Sequence, residues 1–190
     1  RQLSDYPFDE EDHRWSPNGK HIAFTYNAGR HVNRRIALIT LSGHQEHLVE
    51  LLPEYWQGDS FGARWSPDSK KIVFVSDENG QNAIYQIELS NKAPTLLLNS
   101  PYELSDPSWS PDGNYLSYLE NNNGNIRLRL YDTKSQTQRS LALRAGVHSN
   151  PVWNNDSKSV LILYESWNYP REVWSYSIEG GRERISDTLP

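Results

Sequence analysis

Polar and apolar positions along this chain change over in short bursts, and no stretch keeps a helical period. Ile126-Arg127-Leu128-Arg129-Leu130-Tyr131 alternates with a period of two, the mark of a strand with one buried face. Compact apolar runs of strand length stand at residues 22–26, 72–75, 115–119 and 160–164. Further strands are predicted over 35–41, 47–51, 83–89, 95–98, 139–143, 172–178 and 183–185. Turn formers separate them: Pro17-Asn18-Gly19, Asp77-Glu78-Asn79-Gly80, Pro111-Asp112-Gly113 and Asn121-Asn122-Asn123-Gly124. In such turns Pro presets φ, Asp bonds its own backbone and Gly accepts positive φ. The pattern predicts an all-β protein of short antiparallel strands.

The strands fall into a repeat. Trp15-Ser16-Pro17-Asn18-Gly19 returns as Trp65-Ser66-Pro67-Asp68-Ser69, as Trp109-Ser110-Pro111-Asp112-Gly113, and in weakened form as Trp153-Asn154-Asn155-Asp156-Ser157. The Trp residues follow one another at spacings of 50, 44 and 44. A unit of that length, with four strands, cannot bury its own apolar faces and must stack on its neighbours. Four-stranded antiparallel units at this period are the blades of a β-propeller. The expected boundaries are 1–7 for the outer strand of a preceding blade, 8–57 for blade 1, 58–101 for blade 2, 102–145 for blade 3, and 146–190 for blade 4 with the entry to a further one. Residues 1–7 and 184–190 read as the same repeat position, so the chain is expected to be part of a larger propeller or to close with a second copy. The absence of Met fits a mature or excised piece.

The Trp-Ser-Pro-Asp-Gly phrase, with Ile22-Ala23-Phe24, Ile72-Val73-Phe74 and Ile84-Tyr85 behind it, resembles the WD40-like repeats of the TolB β-propeller family. The resemblance covers essentially the whole chain. It implies a propeller, a periplasmic setting and protein partners in the bacterial envelope, and it says little about the ligand.

Composition narrows the chemistry. The chain has no Cys, so disulfides, thiol catalysis and Cys-based metal sites are excluded. The net charge of −5 argues against a nucleic-acid surface. The basic cluster Arg127, Arg129, Lys134, Arg139 and Arg144 reads as a solvated strand face or an anion site. No run is long enough to span a membrane. No Gly-x-Ser-x-Gly elbow or glycine-rich phosphate loop occurs. His44-Gln45-Glu46-His47 lacks the spacer of a helical zinc motif. No cofactor or metal is expected.

The repeat Trp15, Trp65, Trp109 and Trp153 read as packing residues between blades, each set on the Phe or Tyr of the next strand. Asp68, Asp112 and Asp156 read as turn residues bonding their own backbone. Binding candidates sit where the repeat breaks. One break is 53–61, with Tyr55 and Trp56; another is 166–171, with Trp167, Tyr169 and Arg171. Such aromatics with Arg are the composition of interface hot spots, and equally of a cover over a stacking gap. A third set precedes the repeat Trp: Arg14 and Arg64 near an expected channel mouth, and His148 on the approach to blade 4.

Three functions remain open on the residues. The first is a non-enzymatic interaction module that binds a protein or peptide. The second is the gating propeller of a prolyl-oligopeptidase-like peptidase whose catalytic domain lies elsewhere. The third is the periplasmic sensor of a membrane-bound winged-helix transcription activator. Unpaired end strands would also invite self-association.

Overall fold

The structure, a computed structural model, describes residues 9–27, 33–42, 45–142 and 145–186. They are strand and turn throughout, with no helix long and apolar enough to cross a membrane. The chain divides into two compact units, residues 1–99 and 100–190. In the first, β1 (Glu10–Trp15), β2 (His21–Asn27), β3 (Arg34–Ser42) and β4 (Gln45–Glu50) form one antiparallel meander. A second meander holds β5 (Ser60–Trp65), β6 (Lys71–Ser76), β7 (Ala83–Glu88) and β8 (Pro94–Leu98).

The second unit repeats the plan. Its strands are β9 (Glu103–Trp109), β10 (Tyr115–Asn122), β11 (Asn125–Asp132) and β12 (Thr137–Ser140), then β13 (Val147–Trp153), β14 (Ser159–Ser166), β15 (Tyr169–Ser177) and β16 (Arg182–Arg184). One feature goes beyond the repeat. A single parallel pairing, Ile126 with Val147, joins the two meanders into one eight-stranded sheet.

The second strand of each of the first three meanders is buried on both faces, which is why it reads as an apolar run rather than an alternation, whereas β14 of the fourth alternates, with Leu161 exposed. Between the first two sheets, Ile36 and Leu38 of β3 meet Ile72 and Phe74 of β6 and Tyr85 and Ile87 of β7. In the second unit Leu128 and Leu130 meet Trp153, Val160, Ile162 and Tyr176. Each such side chain contributes about 1.5–3 kcal/mol through burial.

The recurring phrase builds the turn after each first strand. Ser66 Oγ donates to Asp68 Oδ1 at 2.6 Å and accepts the Lys71 N–H at 2.9 Å. Asp68 Oδ1 also accepts the Lys70 N–H at 3.1 Å, and Ser69 N–H closes on Ser66 O at 2.9 Å. Ser110 and Asp112 repeat these bonds, as do Ser16 and Asn18. In the weakened copy Asp156 Oδ1 accepts the Lys158 N–H at 2.8 Å. The Ser66 hydroxyl holds the Asp68 carboxyl below the usual carboxylate range despite partial burial. The Asp of the phrase is therefore occupied in shaping its own loop.

Candidate functional site

The repeat Trp residues lock neighbouring sheets. Trp65 stacks on His21 and donates its indole N–H to Arg14 O at 3.0 Å. Trp153 stacks on Tyr115 and donates to Ser108 O at 3.0 Å. The ring met is the first residue of the second strand of the preceding sheet, so one of the two contacts is a His rather than the expected Phe or Tyr. Trp109 is half-buried, with no hydrogen-bond partner for its indole nitrogen among the described residues. Trp15, on the first described sheet, is 58% exposed and does not pack as expected.

Just before each Trp, the first strand carries a β-bulge. Asp12, Gly62, Asp106 and Asn150 all take positive φ, at 53°, 67°, 49° and 54°. The pairing slips at that point in all four sheets: between Glu11 and Arg14, Phe61 and Arg64, Ser105 and Ser108, and Ser149 and Val152. Each slip sets two residues of the first strand against one of the second. Pro107 and Pro151 occupy the second bulge position, where no ladder N–H is required. The signal was present in the sequence, as a Gly, Asp or Asn three residues ahead of each Trp, but it does not stand out against the Trp phrase itself.

The bulge settles the two arginines. Arg14 reaches Asp12 Oδ1 at 2.6 Å, and Arg64 donates to Asp12 Oδ2 at 2.8 Å. One carboxylate thus holds both guanidinium groups and offsets half of the expected positive charge.

The 53–61 break is a strap, not an open loop. Arg35 donates to three of its carbonyls: Leu52 at 2.7 Å, Pro53 at 3.0 Å and Trp56 at 3.1 Å. Glu78 accepts the N–H groups of Gln57 and Gly58, and Asp77 accepts that of Asp59. Arg34 forks onto Asp59 and lies 4.1 Å over the Phe61 ring; its bond holds the Asp59 carboxyl below its usual range. Trp56 points inward, buried against Phe74 and edge-on to Tyr85 at 5.0 Å, with its indole N–H on Ser60 Oγ. Of the two readings, Trp56 fits the cover over a stacking gap and not a binding anchor: burying its ring outweighs leaving it in water, and Ser60 satisfies its polar end. Of the two aromatics Tyr55 is the one that faces out, 74% exposed.

The expectation for His148 is corrected. It is fully buried between Tyr164 and Tyr176, with Nδ1 at 2.7 Å from Ile126 O and Nε2 at 3.3 Å from Tyr176 Oη. Burial pushes its pKa down, so the neutral ring is the folded form. It braces the parallel bridge between β11 and β13. Of the basic cluster, Arg129 pairs with Glu120 at 3.4 Å and Arg139 donates to Ile178 O. Arg144 and His44 lie outside the described residues.

The 166–171 segment remains. Here β14 runs to Ser166 and β15 starts at Tyr169, so Trp167 and Asn168 form the turn of a long hairpin, and the pairing slips just below it, where Glu165 faces both Pro170 and Arg171. Beside it lies an open groove of about 680 Å³, lined by residues 145–147 and 164–169. Trp167, 95% exposed, and Tyr169, 41% exposed, form its rim. Arg171 forks onto Glu165 at 3.2 and 3.3 Å. The groove is narrowed by Gly146, where an added Cβ would meet Glu165 O at 2.6 Å and the Tyr164 ring at 2.7 Å. Among the described residues no three His, Asp or Glu side chains converge as a metal site.

A family model described as TolB beta propeller domain matches residues 4–188. The chain belongs to the TolB β-propeller family. Its four meanders are propeller blades, and the groove lies on the fourth. No curated protein sequence matches it. TolB from Acinetobacter baumannii superposes with a TM-score of 0.75 at 20% identity, over 98% of this chain and 45% of that one. A puromycin-hydrolyzing peptidase of Mycobacterium tuberculosis gives 0.81 at 17%, over 100% of this chain and 31% of that one. Prolyl oligopeptidase B from Galerina marginata gives 0.73 at 16%, over 92% and 26%. This TolB-type chain thus spans less than half the length of each, and at these identities the likeness is one of fold.

Proposed function

We propose that this propeller is a non-catalytic interaction module of the bacterial envelope, working in the periplasm, and that a partner protein docks on the fourth blade at the β14–β15 hairpin. The observation that carries the reading is the nearly full exposure of Trp167 on a tight turn at the lip of the groove. A large aromatic left in water beside a concavity, with Tyr and Arg adjacent, has the make-up of an interface anchor. Family membership and the likeness to a TolB protein support the envelope setting.

A photo-crosslinking amino acid at position 168, with position 158 on the far turn of the same blade as control, tests the reading in a bacterial periplasm. One protein should be captured from 168 and not from 158. Once purified, it should bind Trp167→Ala about tenfold more weakly than the parent chain. Capture from both positions alike, or binding indifferent to Trp167, would move the interface elsewhere.

The full-length overlay on the mycobacterial peptidase supports a second reading, a propeller that gates a hydrolase domain. A Gly-x-Ser-x-Gly elbow in chain continuous with this one, and peptidase activity of that longer protein, would establish it. Their absence from the longer protein would remove it.

A further inference from the structure

The first strands of blades 1 and 3 end in a seat for the Trp of the following blade. Its floor is a cross-strand pair, Arg14 with Ala23 in one and Ser108 with Ser117 in the other. Its wall is the ring that opens the second strand, His21 or Tyr115. The carbonyl of Arg14 or Ser108 accepts the indole N–H of the incoming Trp65 or Trp153. Ala23 and Ser117 are fully buried, and Ala23 lies in one packed core with Trp65.

Blade 4 carries the same seat, and there it is open. The matching cross-strand pair is Val152 with Leu161, and these are 57% and 37% exposed. Side-chain size is exchanged between neighbours rather than lost. Ser159 stands where His21 and Tyr115 supply a ring, and Leu161 stands where Ala23 and Ser117 are small. Such an exchange conserves volume, so the seat keeps room for an indole. Leaving Leu161 in water forgoes the burial that Ala23, Val73 and Ser117 obtain at this place.

The group that fits this seat is on the same chain. Trp65 and Trp153 are each 8% exposed, whereas Trp15, from the same phrase and with the same indole donor, stands in solvent. Gly19 occupies the place where Ser69 and Ser157 add a further bond across the seam. A contact made by Trp15 lacks that bond and is weaker than the seams inside the chain.

We propose that Trp15 of one copy seats on the Val152–Leu161 pair of a second copy, with its indole N–H on the Val152 carbonyl. The two copies use different surfaces, so the contact is heterologous. It does not depend on the docking reading above, because the Trp167 hairpin lies at the other end of β14.

The test is sedimentation equilibrium of the full chain over a concentration series, with Trp15→Ala and Leu161→Asp beside it. Both side chains meet solvent, so the urea midpoints should stay with the parent. If Leu161→Asp lowers its midpoint, Val152→Asp, at the more exposed residue, takes its place. The parent should rise above 22.0 kDa with concentration. Each variant alone should need about tenfold more protein to associate. The mixture of the two is decisive: Trp15→Ala keeps the seat and Leu161→Asp keeps the Trp, so together they should recover one contact and pair with near-parental affinity. Three results would overturn the inference. One is a parent that stays at 22.0 kDa up to about 1 mM. Another is association that Trp15→Ala leaves intact, which would set some other surface on blade 4. The last is a mixture no better than either variant alone, which would mean that both copies use one and the same surface. Crosslinking at position 168 reports on the hairpin and is indifferent to all three.

Discussion

Ser69 and Ser157 both hold a φ of 61°, left-handed backbone that a residue with a Cβ adopts at a cost of about 1 kcal/mol. Blades 1 and 3 place Gly at this position, Gly19 and Gly113. The serines offset the strain with a bond that Gly cannot make. Ser69 Oγ accepts the Asn18 N–H at 3.1 Å and Ser157 Oγ accepts the Asp112 N–H at 3.0 Å, each reaching across to the preceding blade. Ser157→Ala keeps the strain and loses the bond, and should lower stability by about 1 kcal/mol. Ser157→Gly loses the bond and sheds the strain, and should stay close to the parent. Urea midpoints should therefore rank parent and Gly together above Ala; an Ala variant matching the parent would mean that the hydroxyl bonds nothing of consequence. The sequence shows the turn chemistry at this scale, since Ser, Pro and Asp act within five residues of one another. It does not show the second use of the serine, whose partner lies 45 or 51 residues away.

Whole elements obey contacts that local patterns do not carry. The strap between β4 and β5 reads as an exposed insertion because it is long and rich in Pro, Gly and Asp. Arg35, on a strand that gives no hint of it, ties three of its carbonyls down. Composition alone could not sort Tyr55 from Trp56, since neighbours in an irregular segment face opposite ways without a fixed period. Arg35→Ala should cost about 2–3 kcal/mol and speed protease cleavage between residues 53 and 59. Arg35→Lys should recover little of this, because an ammonium cannot fork over three carbonyls; full recovery would show that charge alone holds the strap. At Trp167 the sequence shows the interruption but not its form. Without an Asn-Gly pair the strand signal stops, and the structure continues β14 and β15 to the tip with one slip in register at Glu165. Gly146→Ala tests the packing under that hairpin: the clash with Glu165 O and Tyr164 should destabilise by about 3 kcal/mol, read as a lowered urea midpoint.

Across the whole chain the response to acid should come in two stages. His148 is buried neutral, with its pKa below 6.5, and only Tyr164, Tyr176 and the Ile126 carbonyl face it in the contacts described. The unfolded chain binds the proton more readily, so this contribution is complete above about pH 6.5 and fades as pH falls below it. His21, also lowered by burial and by Lys20, adds a smaller effect of the same sign. Asp59 and Asp68 lie below their usual 3.8, so their contributions persist through this range and are lost only as pH drops under about 3.8. Stability by urea unfolding should fall between pH 7.5 and 5.5, and His148→Gln, although less stable overall, should show a flatter slope there. An unchanged slope would clear His148 of the effect.

The β-propeller class and the repeat were legible because one phrase recurs at a fixed period and the strands between carry their own turns. The four bulges were not, because each is a single residue. They leave a mark of another kind. At Asp12, Gly62, Asp106 and Asn150 the positive-φ backbone restricts the choice of side chain, and at Asp12 the two arginine partners restrict it further. In a comprehensive substitution library selected for folding, these four columns should accept little beyond Gly, Asn and Asp, while their exposed neighbours drift freely. Natural variation at the same places would be confined to that three-letter alphabet, whatever the propeller binds.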